Sequence, residues 1–73
     1  MNDELIRIGK QIRQRRESLK FTQHDVSEIS GVAERTIRSI ENGVNTNLSN
    51  LLKVINVLGL SLTVDIKQIE YGG

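Results

Sequence analysis

With 73 residues the chain has room for one domain and no more. Cysteine is absent, which excludes a disulfide framework and a thiolate metal site and makes a reducing, cytoplasmic setting the simple expectation. Net charge is +1, from ten Lys and Arg against nine Asp and Glu, so any attraction to an acidic partner must come from local distribution. No apolar run is long enough to cross a bilayer and no secretory signal is present. Hydrophobic residues make up 37% and only Phe21 and Tyr71 are aromatic, so the core must be built from Ile, Leu and Val. A core that small often gains stability from a partner subunit. One His, no Gly-rich phosphate loop and no H-x-x-x-H spacing argue against an enzyme, a metal ion or a cofactor.

The first element runs from Asp3 to Leu19. Leu5, Ile8, Ile12 and Leu19 recur at helical steps and make one apolar stripe. Asn2 or Asp3 can cap its start, and Asp3 and Glu4 suit the positive end of the helix dipole. Lys10, Arg13, Arg15, Arg16 and Lys20 lie in its second half beside a single acid, Glu17. Such a cluster can draw in phosphates, or simply complement the dipole and face water.

Residues 22–43 read as two short helices joined by a tight turn. Thr22 can cap the first helix, and Val26 and Ile29 share one face of it. Gly31 breaks it. The second helix spans about Ala33–Asn42, with Ile37 and Ile40 inward, and ends at Gly43. Two helices of this length around a Gly-containing turn are the pattern of a DNA-binding helix-turn-helix. Asn42–Asn47 is then a polar loop, and Thr46 or Asn47 can cap a last helix from about Leu48 to Leu58. Its stripe is Leu48, Leu51, Leu52, Ile55 and Leu58, and Gly59 ends it.

After Gly59 the period changes. Leu60, Leu62, Val64 and Ile66 alternate with polar residues, which favours a strand over about 60–67. A helical reading stays open, since Leu62, Ile66 and Ile69 also fit steps of three and four. A single strand leaves its backbone groups unpaired, and the economical partner is the same strand of a second copy about a two-fold axis.

Thr22-Gln23, the small Ser27, Gly31-Val32, Thr36-Ile37 and Glu41-Asn42-Gly43 resemble, in order and spacing, the motif of phage-repressor (Cro/cI, XRE-type) regulators. The resemblance implies an all-α, four-helix lambda-repressor-like DNA-binding domain, here with one C-terminal β-strand pairing across a homodimer. Residues Thr46–Val64 resemble the last helix and strand of HipB-type antitoxins. That likeness implies a repressor of its own operon that binds a HipA-type serine/threonine kinase toxin. A stand-alone phage-type regulator, or a restriction–modification controller, would share the DNA chemistry without the toxin. A protein-interaction module without DNA binding is the alternative of another class.

In such a motif the second helix enters the major groove. Ala33, Glu34, Arg35, Arg38 and Ser39 match the family's base-reading surface. An Arg fork can donate twice to guanine, and Glu34 can accept from cytosine N4. Glu34 and Arg38 could equally pair with each other along the helix. Arg15, Gln23, Thr36, Asn42, Asn45 and Thr46 are the phosphate candidates; for Gln23 the resemblance implies such a contact, aided by a helix N-terminus. The resemblance also implies an ion pair between Arg16 and Glu41, and a left-handed turn at Lys20, where the family often has Gly. Leu60, Leu62, Val64 and Ile66 are the dimerisation residues. His24 reads as an ordinary exposed helix residue.

Overall fold

The computed structural model describes residues 3–67. Four helices follow in order: α1 (Asp3–Ser18), α2 (Gln23–Ser30), α3 (Glu34–Glu41) and α4 (Leu48–Val57). Asn2, Ile69 and Tyr71–Gly73 lie outside the described residues, so the cap expected from Asn2 and the helical step to Ile69 are not seen. Asp3 is itself the first residue of α1.

Local chemistry sets the helix ends. Thr22 and Asp25 form a capping box on α2: the Asp25 N–H donates to Thr22 Oγ1 (3.0 Å), and the Thr22 N–H donates to Asp25 Oδ2 (2.8 Å). The bonds from Thr22 hold the Asp25 carboxyl below its ordinary value. Asn47 caps α4, accepting from the Asn50 N–H at 2.8 Å. At the end of α1, Phe21 N–H donates to Arg16 C=O and Lys20 N–H to Glu17 C=O, with Lys20 at φ 64°. This is a Schellman turn whose left-handed position holds a residue with a Cβ. The corresponding left-handed residues after the other helices are Gly31, Gly43 and Gly59.

Ile12, Val26, Val32, Ile37, Ile40, Leu51, Val54, Ile55 and Leu58 form one buried core, with Ile8, Leu19, Phe21, Val57 and Leu60 packed around it. Four residues of the expected stripes are not in it, among them the half-buried Leu5. Ile29 is 60% exposed, and Val32, delivered inward just past the Gly31 turn, is buried where it is not. Leu48 and Leu52 also face outward. Val54, absent from the expected stripe, is fully buried and rotates the inward face of α4 away from both.

Gly9, in the middle of α1, lets that helix approach the end of α3. A Cβ there would sit 2.5 Å from the Ile40 carbonyl oxygen and 2.7 Å from that of Glu41. Gly43 is held against Ile6 in the same region: its Cβ would meet the Ile6 backbone at 2.8 Å. The N-terminal half of α1 is thus docked, backbone to backbone, on the C-terminal end of α3.

The tail departs from expectation. Leu60–Lys67 forms neither a strand nor a fifth helix among the described residues. Leu60 packs on the core, Leu62 is 41% exposed, and Val64 and Ile66 are almost wholly exposed. The reason is topological. Among the described residues all the regular elements are helices, so the expected strand finds no edge there to pair with.

Lys20→Gly should stabilise the fold. It relieves about 1–2 kcal/mol of left-handed strain and gives back about 0.5–1 kcal/mol in unfolded-state entropy. Thermal unfolding should show a midpoint raised by a few degrees; an unchanged or lower one would mean the turn carries no strain.

Candidate nucleic-acid interface

The helix-turn-helix is anchored through one carboxylate. Glu41, the last residue of α3, has a side chain only 3% exposed. Arg16 of α1, 11% exposed, grips it with two bonds: Nε to Oε2 at 2.6 Å and Nη2 to Oε1 at 3.0 Å. The remaining Arg16 nitrogen, Nη1, donates to the Phe21 carbonyl at 2.8 Å. Gln23, the first residue of α2, donates from Nε2 to Glu41 Oε1 at 3.2 Å. One acid therefore joins α1, the turn after it, the start of α2 and the end of α3. The bond to Glu41, ahead of burial, which acts the other way, raises the Arg16 guanidinium above its ordinary value.

With its C-terminal end fixed, α3 turns its other face outward. Ala33, its N-cap, is exposed and makes no side-chain cap bond. Arg35 and Arg38 are exposed and three residues apart, hence on adjoining positions of one face. Among the described residues neither guanidinium has a hydrogen-bond or ion-pair partner. Glu34, Thr36 and Ser39 are half-buried beside them. The pairing of Glu34 with Arg38 that the sequence allows is not formed. Glu34 instead lies 3.5 Å from His24 Nδ1, and His24 Nε2 lies 3.3 Å from Glu28.

The expected phosphate ligands are scattered more widely. Asn42 and Asn45 are exposed and Thr46 half-buried in the loop after α3. Gln23 sits at the start of α2, and a phosphate would share its amide with Glu41. Arg15 faces elsewhere: its Nε donates to the Leu58 carbonyl at 2.9 Å, capping the end of α4. It lines an open groove of about 520 Å³ with Ile8, Ile12, Ile55, Leu60 and Leu62. Two residues that matter here carried little sequence signal. Gly9 looked like any helical glycine, and His24 like any exposed histidine.

Among the described residues no group of His, Cys, Asp or Glu could hold a metal ion, and no helix is long and apolar enough to cross a membrane. The arrangement offers a rigid helix carrying two free forks, which suits recognition of planar acceptor pairs.

The HTH_3 helix-turn-helix family matches residues 12–64. The fold is similar to that of the restriction–modification controller protein C.AhdI from Aeromonas hydrophila, with a TM-score of 0.74 at 24% identity over 82% of this chain and 92% of that one. A protein of Archaeoglobus fulgidus described as an HTH-type transcriptional regulatory protein is 34% identical over 62 residues. These are 85% of this chain, which spans only 19% of that relative's length.

Glu41→Ala should leave Arg16 buried without its counter-charge and cost about 3–5 kcal/mol. Urea unfolding at neutral pH measures this. A loss below about 1 kcal/mol, the range of an exposed pair, would show that the bridge does not hold the motif together.

Proposed function

Because the chain belongs to the HTH_3 helix-turn-helix family, we propose that it is a sequence-specific DNA-binding transcriptional repressor acting as a homodimer in the cytoplasm. It works by binding, without catalysis. The observation that carries this is the pair of guanidiniums, Arg35 and Arg38, without partners among the described residues and on the outward face of a helix locked at its far end. In the major groove each can donate two bonds to guanine O6 and N7. Ala33, Glu34 and Ser39 complete the base-reading surface. Gln23, Thr36, Asn42, Asn45 and Thr46 flank it as phosphate contacts, with Arg15 the outlying member of that set.

The dimer follows from the tail. Leu62, Val64 and Ile66 expose their side chains in a single chain, and Leu60 and Leu62 also line the groove between α1 and α4. Pairing two copies of this segment would satisfy its backbone and cover its apolar side chains. It would also set two α3 helices on one duplex, about one helical turn apart.

The finer role we favour is the antitoxin of a HipA-type kinase toxin, controlling its own operon. What supports it is the resemblance of Thr46–Val64 to the last helix and strand of HipB-type antitoxins, together with the alternating pattern of residues 60–66. The likeness in fold to a restriction–modification controller keeps a regulator without a toxin as the second reading. Co-purification with the product of the adjacent gene separates them: a kinase carried through supports the first, and none supports the second.

A gel-shift on the protein's own upstream DNA tests the repressor. Affinity should fall steeply with salt, as phosphate contacts require. Arg35→Ala and Arg38→Ala should each lose about 1–3 kcal/mol of sequence discrimination. Ile66→Asp should weaken binding by splitting the dimer. Binding indifferent to salt and to both arginines would end the reading.

A further inference from the structure

His24 lies between two carboxylates on different helices. Its Nε2 is 3.3 Å from Glu28 Oε1, one turn along α2, and its Nδ1 is 3.5 Å from Glu34 Oε2, in the first turn of α3. The ring and Glu28 are largely exposed, at 65% and 70%, and the Glu34 side chain is partly so, at 43%. Asp25, next to it on α2, also feels its charge. These three acids are the charged groups that interact with the ring among the described residues.

A neutral imidazole has one N–H and can serve only one of two flanking carboxylates; its other nitrogen then presents a lone pair to an anion. The imidazolium has two N–H groups and serves both. The bridge is therefore complete only in the charged form. Histidine is the side chain that makes this change between about pH 5 and 8.

We propose that His24 sets the specificity of the interface by governing Glu34. The inference rests on the reading of α3 as the base-contacting helix. With His24 neutral, Glu34 is free to accept from cytosine N4, and its charge opposes the phosphates around it. With His24 charged, Glu34 is drawn toward the ring, and one negative charge is offset where the duplex would approach. Acid conditions should then raise overall affinity and relax the preference for cytosine at the position Glu34 reads. His24 acts through Glu34, as a positioning residue, and need not touch a base.

Selection from a randomised duplex pool at about pH 6 and about pH 8, at one ionic strength, tests this. Wild type should bind its selected sequence about three- to tenfold more tightly at the lower pH, roughly half to one power of ten. It should show a cytosine preference at one position of each half-site at the higher pH only. His24→Gln, which keeps a donor but no charge, should show no such pH effect and should keep the cytosine preference at both values. Glu34→Gln should lose the preference at both. Neither side chain is in the core, and equal thermal midpoints for the three proteins exclude misfolding. A pH profile in His24→Gln matching that of wild type would overturn the role of His24. Failure of wild type to enrich any sequence at either pH would instead overturn the interface, and this inference with it.

Discussion

The structure depends on one buried acid. Glu41 is almost fully removed from water, and an ion so placed is costly unless every lone pair is engaged. Arg16 supplies two bonds and Gln23 a third. The donors come from α1 and from the first turn of α2, and the acceptor from the last turn of α3. The bridge thus fixes the angle of the helix-turn-helix more than it contributes net stability. A hydrophobic replacement could pack the same space, but it would not specify which nitrogen meets which oxygen. Gly9 and Gly43 have a related effect by steric means, since each leaves room for a backbone approach that a methyl group would block.

On the proposed function, recognition and folding use different parts of one short helix. The inward residues of α3, Ile37 and Ile40, are buried with Glu41 behind them. Its outward residues make no demand on the core, so Arg35 and Arg38 can vary without loss of fold. Glu34 is the exception. It reaches back to α2 through His24, which links the outward face of α3 to α2.

Local patterns made much of this legible. Thr22, Gly31, Asn47 and Gly59 act through bonds and dihedral angles within a few residues of themselves, so their roles could be inferred from short-range chemistry. The four helices were accessible in the same way, whereas the Arg16–Glu41 pair, 25 residues apart, was accessible only through resemblance. What was not legible depends on which side of an element its neighbours occupy. The difference between Leu52 and Val54 is one of rotation about α4, and both fit an apolar stripe until the position of α2 is known. Ile29 fails for the same reason. Gly9 has no pattern at all, because the carbonyl groups that demand it are more than thirty residues away. The tail is a different case. Its alternation is plain, but a strand is a relation between two chain segments, and a sequence read once shows only one of them.

Charge shows most clearly why composition alone misleads. The basic run from Lys10 to Lys20 can be read as a phosphate-attracting surface or as a solvated face that complements the helix dipole. In the structure its arginines are largely committed to the fold: Arg13 to Glu17, Arg15 to the Leu58 carbonyl, Arg16 to Glu41 and Phe21. Arg7 is likewise paired with Glu4. The two arginines of α3 lack partners among the described residues, although they are a minority of the basic residues. A net charge near zero is therefore compatible with locally unpaired charge, because internal pairing engages most of the arginines and leaves Arg35 and Arg38 unpaired among the described residues. What distinguishes an arginine open to an outside acceptor from a structural one here is whether the described part of the chain has already supplied it with a partner.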